Sequence, residues 1–202
     1  MKKDFLPYDR VRNNAIRLAH KIYTDGFLPD IIYVSLRGGA YIGNLMSEYF
    51  KIVKTGERPV LYAAVVARSY MDTFNQEEIR IDGWTYDPQH LRQGDKILLV
   101  DDIFDSGKTI NFLADVIVRQ GIPREDLKIA VHDYKVFEYH KEDLPVKPDY
   151  YCRRHVIRNP EDNIWIHYMS HELVGLTPEE LENYYLSSDA ELSRALEPLS
   201  KR

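Results

Sequence analysis

Asp101, Asp102 and Asp105 come in quick succession and run directly into Ser106-Gly107-Lys108-Thr109, a set able to hold a polyol, a cation and a phosphate side by side. Adjacent carboxylates accept hydrogen bonds from vicinal hydroxyls or from waters around a cation, and on a strand their side chains point to opposite sides. A Ser-Gly turn that opens a helix leaves backbone amides unpaired. With the hydroxyls of Ser106 and Thr109, those amides make an anion site.

The elements around this set must deliver it to one place. Ile97-Leu98-Leu99-Val100 is a run of branched or long apolar residues entered from the polar turn Arg92-Gln93-Gly94-Asp95-Lys96, as expected of a central parallel strand covered on both faces. Such a strand carries Asp101 and Asp102 to the carboxyl edge of the sheet, where open α/β sheets bind ligands. Phe112, Leu113, Val116 and Ile117 then recur at helical spacing. Two other readings compete. Gly107-Lys108-Thr109 ends like a nucleotide triphosphatase loop, but that motif needs glycine where Asp102 stands, and a carboxylate there repels a β-phosphate. Three aspartates and a Ser-Gly turn can also merely cap a helix, although the uninterrupted string from Ile97 to Thr109 argues for more.

A second constellation precedes it at Ile31-Ile32-Tyr33-Val34-Ser35-Leu36-Arg37-Gly38-Gly39. Here too a β-rich run ends in small residues and passes into a helical pattern, Ile42, Leu45, Met46, Tyr49 and Phe50. Gly38 and Gly39 let the backbone approach an anion closely, and Arg37 can neutralise it. Between the two motifs, Ala67-Arg68-Ser69-Tyr70-Met71-Asp72 leads into a polar stretch reaching Gln93, expected as a surface loop or a lid over about 69–93. Further on, Lys135 follows the strand-like residues 127–131, and Trp165 and Ile166 follow Asn163-Ile164. A lysine beyond a strand end can donate to a carbonyl oxygen, and tryptophan offers a flat apolar face.

The string from Ile97 to Thr109 closely resembles the signature of type I phosphoribosyltransferases, and the later residues resemble the base pocket of their xanthine, guanine and hypoxanthine (6-oxopurine) members. The resemblance implies an α/β fold with a mostly parallel five-stranded sheet flanked by helices, and a small base-binding hood over about 135–172. It implies a transfer of the phosphoribosyl group of phosphoribosyl pyrophosphate (PRPP) to a purine. Asp101 and Asp102 would meet the ribose hydroxyls, directly or through hydrated magnesium, Mg2+ being the implied cofactor. Asp105 would act at the purine N7, and Asp105, Ser106, Gly107, Lys108 and Thr109 would hold the 5′-phosphate. Leu36, Arg37, Gly38 and Gly39 would form the pyrophosphate loop, with a cis peptide at Leu36-Arg37, and Ser69-Tyr70 would match a mobile catalytic loop. Lys135 would meet the 6-oxo group, Trp165 would stack on the ring, and the Ile166 backbone would read its edge. Asp105, Arg37 and Lys135 are thus the candidate catalytic groups. Lysine is a donor only, which suits an oxopurine and confronts adenine's amino group with a second donor. Where relatives have Pro-Trp-acid, this chain has Met169-Ser170-His171-Glu172.

Composition fits an enzyme of this kind. The 202 residues, 44% hydrophobic, can bury one sizeable core, and no proline or serine linker divides them, so a single domain over 1–202 is expected. A net charge of −5 argues against a general nucleic-acid binder. Cys152 is alone, which fits a reducing compartment. The first residues lack an apolar core and the longest apolar stretch, 62–67, is too short to cross a bilayer, so the cytoplasm is expected and no membrane partner. His167 and His171 have helical ligand spacing but lack an obvious third ligand. Elements expected are a helix over 8–24, strands near Ile31, Val60, Ile97, Lys128, Tyr150 and Trp165, and helices near Tyr41 and Ile110. A helical extension over about 173–202 carries two capping boxes, starting at Thr177 and Ser188, and an apolar stripe of Leu192, Ala195, Leu196 and Leu199. Relatives of this kind imply a dimer or tetramer. The rival from another class is a regulator of the same fold that senses PRPP or a nucleotide with little turnover.

Overall fold

The apolar runs at 31–34 and 97–100 lie side by side at the centre of the sheet in a computed structural model of the chain, which describes residues 2–56, 58–71, 77–139, 144–185 and 190–200. In chain order the elements are β1 (Lys3–Leu6), α1 (Tyr8–Thr24), β2 (Ile31–Leu36), α2 (Gly39–Val53), β3 (Leu61–Met71), β4 (Glu77–Trp84), β5 (Ile97–Phe104) and α3 (Lys108–Val118). They continue as β6 (Leu127–Phe137), β7 (Tyr150–Ile157), β8 (Trp165–Tyr168), α4 (Pro178–Tyr184) and α5 (Ala190–Ser200). Two compact units result: Asp9–Asn163, and Met1–Tyr8 together with Ile164–Arg202.

The larger unit holds a six-stranded sheet in the order β4-β3-β2-β5-β6-β7. Five of the strands are parallel, and β4 runs antiparallel along β3 at the edge. Alternate residues divide the core. Ile31 and Tyr33 of β2, Ile97 and Leu99 of β5, and Ile129 and Val131 of β6 cluster with Ile110, Leu113, Ala114 and Ile117 of α3. Val34 meets α2 at Gly43, where a methyl group would collide with its Cγ1. The helix α1 follows the expected bounds and buries Val11, Ala15, Leu18, Ala19 and Ile22 along one stripe.

The mostly parallel α/β sheet is as the resemblance implies, with one strand added. Residues 77–84, expected within a loop or lid, form β4 instead, because Ile79 and Ile81 alternate with Arg80 and Asp82 and an edge strand needs only one apolar face. Ile81 and Trp84 pack against the main core. Residues 72–76 of the expected lid lie outside the described residues. The segment expected as a hood is divided: residues 135–137 complete β6 and residues 150–157 form the edge strand β7 of the main sheet.

In the smaller unit β1 pairs in parallel with β8, Lys3 opposite Trp165 and Leu6 opposite Tyr168. His167 therefore sits on a strand, where the helical ligand spacing to His171 has no meaning. The capping box at Thr177 forms: its hydroxyl accepts from the Glu180 amide at 3.2 Å while Glu180 Oε2 accepts from the Thr177 amide at 2.9 Å. Lys3 Nζ reaches the same Oε2 at 2.5 Å, tying the start of the chain to α4. The capping residues Ser188 and Asp189 lie outside the described residues, and along the stripe Leu196 is buried while Leu192 is exposed.

Candidate functional site

The fully buried run of β5 gives way at Asp101, within the strand, to partly buried residues. Ile97, Leu98, Leu99 and Val100 are fully buried, whereas Asp101 and Asp102 are half-buried at the carboxyl edge. Asp101 Oδ1 accepts from the Asp102 amide at 3.0 Å, and Asp102 Oδ1 accepts from the Ile103 amide at 2.8 Å, so both carboxylates are oriented by backbone donors. Desolvation, and then the neighbouring Asp102 charge, push the Asp101 carboxyl well above the usual carboxylate range; the Ser35 hydroxyl bonds to it and pulls the other way. A cavity of about 220 Å³ opens here, lined by Asp101, Asp102, Asp105, Ser106, Gly107 and Thr109 among others. At its end Gly107 takes a left-handed φ of 77° before α3, and a side chain there would run into Phe104 and Leu144.

Asn111, in the first turns of α3, fixes this loop. Its Nδ2 donates to the Gly107 and Val146 carbonyls, each at 2.9 Å, and its Oδ1 accepts from the Val146 amide at 2.8 Å. The sequence reading missed this residue, because an asparagine inside a helical pattern carries no signal of a tertiary partner.

The loop after β2 lies directly on the end of β5. A Cβ on Gly39 would stand 2.6 Å from the Val100 carbonyl oxygen and 3.0 Å from Asp101 Cα, and one on Gly38 would fall on the Asp102 carboxylate. The two motifs, distant in sequence, thus share one edge, brought together because β2 and β5 are adjacent and parallel. The Leu36-Arg37 peptide is cis. Arg37 is exposed and its carbonyl accepts from the Ala40 amide at 3.2 Å as α2 begins.

Lys135, near the carboxyl end of β6, is 5% exposed. Its Nζ donates to Asp105 Oδ2 at 3.2 Å and to Asn163 Oδ1 at 2.8 Å, which brings two of the candidate catalytic groups into contact. Asn163 is a second residue that the sequence reading used only as a landmark. Ser69 and Tyr70 pair through the backbone with Ile79 and Glu78 near the end of β3. Trp165 opens β8 in the smaller unit with its side chain 45% exposed, and Ile166 beside it is buried.

Known families account for this arrangement. The model of the phosphoribosyl transferase domain matches residues 7–168. The chain belongs to that family. A bifunctional protein PyrR of Halalkalibacterium halodurans is 24% identical to this phosphoribosyltransferase-family chain over 161 residues, 74% of this chain and 82% of its own. Among solved structures, a purine phosphoribosyltransferase from Pyrococcus horikoshii superimposes with a TM-score of 0.64 at 23% identity, covering 87% of this chain and 98% of that one. A Neisseria gonorrhoeae protein with bound ppGpp superimposes with a TM-score of 0.61 at 17% identity, covering 99% and 96%. These likenesses carry the fold.

The donor set at the end of β5 fits magnesium. Asp101 and Asp102 offer only carboxylate oxygens, the hard ligands that this ion takes one or two at a time while keeping water. Both line the cavity of about 220 Å³, which leaves room for an ion with its waters.

Proposed function

We propose that this phosphoribosyltransferase moves the phosphoribosyl group of PRPP to N9 of a 6-oxopurine (xanthine, guanine or hypoxanthine), giving the nucleoside 5′-monophosphate and pyrophosphate. The observation that carries the reading is the buried Lys135, a donor whose Nζ also contacts Asp105. A lysine kept out of water beside a carboxylate is poised to donate to an exocyclic oxygen, with the acid in reach of the ring nitrogen next to it. In the reaction the N9–C1 bond forms as the bond from C1 to pyrophosphate breaks, through an oxocarbenium-like transition state. Asp105 holds or moves the proton at N7. The Gly38-Gly39 amides and Arg37 take the charge of the departing pyrophosphate, and residues 105–109 hold the 5′-phosphate. Asp101 and Asp102 bind the ribose hydroxyls and magnesium, which when bound neutralises phosphate charge. Ser69 and Tyr70 close over the reactants, Trp165 stacks on the base, and the Ile166 backbone reads its edge. Little covalent chemistry is asked of the protein, so positioning and charge supply the rate. The reading takes the enzyme to be cytoplasmic, homo-oligomeric and engaged with small molecules only.

The test is pyrophosphate release from PRPP and Mg2+ with xanthine, guanine, hypoxanthine, adenine and uracil offered separately. Turnover with an oxopurine and not with adenine is expected. Turnover with uracil alone refutes the purine assignment. A second reading, a regulator that senses PRPP or a nucleotide, is favoured by the relative named a bifunctional protein and by the full-length neighbour that holds ppGpp. Silence with every base despite tight binding of PRPP establishes that reading instead.

A further inference from the structure

The smaller unit contains a polar cluster centred on Glu172, a residue that the proposed chemistry does not use. Its Oε2 accepts from the Tyr168 amide at 3.2 Å and from the Trp165 indole Nε1 at 3.4 Å. Its backbone is fixed as well: the Glu172 amide donates to the Tyr168 carbonyl at 2.9 Å, and its carbonyl accepts from the Tyr185 hydroxyl at 2.9 Å. Tyr185 Oη, having given its proton to that carbonyl, accepts from His167 Nε2 at 2.7 Å. A neutral His167 then carries its lone pair on Nδ1, 3.3 Å from Glu172 Oε2, and has no proton to offer there. Among the described residues the indole N–H and the Tyr168 amide remain as the donors to that oxygen.

We infer that Glu172 is a positioning residue that sets the orientation of the Trp165 ring through a charge-assisted bond to the indole N–H. The inference rests on the reading of Trp165 as the stacking face for the base. Trp165 is the first residue of a four-residue strand and almost half of its side chain is in solvent, so packing alone holds the ring weakly. A carboxylate oriented by its own turn and by Tyr185 supplies the missing restraint, because indole has one polar atom and that atom is a donor. Loss of the bond frees the ring to sample other rotamers, and ordering it again on binding costs affinity for the base rather than for PRPP.

Three variants decide the matter: Glu172→Ala, Glu172→Gln, which keeps an acceptor oxygen at the same reach, and Trp165→Ala. The chain has two tryptophans, so fluorescence is read in a Trp84→Phe background, where emission comes from Trp165 alone. In the free protein, Glu172→Ala is expected to lower the Trp165 anisotropy and shift its emission to the red, and Glu172→Gln to restore both. In the complete enzyme, Glu172→Ala is expected to raise KM for the base roughly fivefold, the size of one long, solvent-exposed hydrogen bond. KM for PRPP is expected to stay within about twofold of wild type. Unchanged anisotropy in Glu172→Ala overturns the inference, as does a parallel rise of both KM values or a Gln variant no better than Ala. Should Trp165→Ala leave the base KM unchanged, the stacking reading fails, while the anisotropy of the free protein still decides whether Glu172 holds the ring.

Discussion

Gly39→Ala tests whether the loop after β2 serves the reaction through its backbone. The added methyl group would sit 2.6 Å from the Val100 carbonyl oxygen and 3.0 Å from Asp101 Cα, both backbone atoms of the central strand. Neither can turn aside as a side chain would, so the loop must retreat by about 0.8 Å to bring the shorter approach out to an ordinary 3.4 Å contact. Overpacking of this kind costs about 1 to 3 kcal/mol of stability. Its effect on chemistry lies at the top of that range, about 2.7 kcal/mol, since a displacement near 1 Å in a positioning group costs on the order of 100-fold in rate. The assay is pyrophosphate release at saturating base with PRPP varied, alongside a thermal melt. A fall in kcat/KM for PRPP of roughly 100-fold is expected, with a folded protein at the assay temperature. Gly56→Ala is the control, because a Cβ at Gly56 meets nothing within 4 Å. A Gly39→Ala enzyme that melts below wild type yet keeps its kcat/KM for PRPP would refute the assignment of this loop to pyrophosphate.

Asp105→Ala should lower turnover by about 100-fold or more while leaving the melting temperature near wild type, because the side chain is half exposed and carries little packing; a near wild-type kcat would sink its role. Asp133→Ala should do the opposite to stability and remove about 3 to 5 kcal/mol, since it strips the acceptor from buried donors, and denaturant titration measures the loss. Burial, and then the Asp133 charge, push the Cys152 thiol up to about 12. The native thiol should therefore react with Ellman's reagent at pH 8 far more slowly than the unfolded one, and equal rates would contradict the packing. Burial opposes the charge on Asp30, but the Lys54 side chain and the Lys96 amide outweigh it and hold the carboxyl below its usual range. A depressed folded-state pKa gives stability that is present above the unfolded value and lost as pH falls through the folded one. Asp30→Asn should therefore destabilise at pH 7 with a deficit that shrinks in acid below about pH 4, and a constant deficit would dismiss the ion pair as its cause.

The parts of the site legible in the sequence are those whose chemistry is local. A strand, two acids, a turn and a helix follow one another from Ile97 without a break, so their order in the chain is their order in space. Gly38 and Gly39 were legible as a close backbone approach to an anion, but their second approach, to Val100 and Asp102, was not, because it follows from the adjacency of β2 and β5. Asn111 and Asn163 were not legible as site residues, since each acts through a partner far along the chain, Val146 for one and Lys135 for the other. The strand β4 was hidden by polar residues on its solvent face, and β1 by being four residues long with its partner at the far end of the chain. In each miss the deciding term is tertiary pairing, which no periodicity within the segment records.

Asp133, within β6, and Asp105, in the loop after β5, show how burial divides a supporting acid from one proposed for chemistry. Asp133 on β6 is fully buried, accepts from His132 Nδ1 at 2.6 Å and His155 Nε2 at 2.5 Å, and forms an ion pair with Arg153, whose Nε lies 3.2 Å away. With its proton on Nδ1, His132 has an acceptor left at Nε2, and Asn14 Nδ2 of α1 donates to it at 3.0 Å. This network joins α1, β6 and β7 two residues before Lys135, so the lysine projects from a strand held on both sides. Asp105 has the contrary setting: a loop, half its side chain in solvent, and Lys135 Nζ at 3.2 Å. A carboxylate surrounded by buried donors resists movement, which suits a support. One bonded to a rigid lysine and open on its other side can take or give a proton to a molecule that arrives, which suits an acid or base in catalysis. The same side chain serves both ends because burial and partner number, rather than residue type, set what it can do.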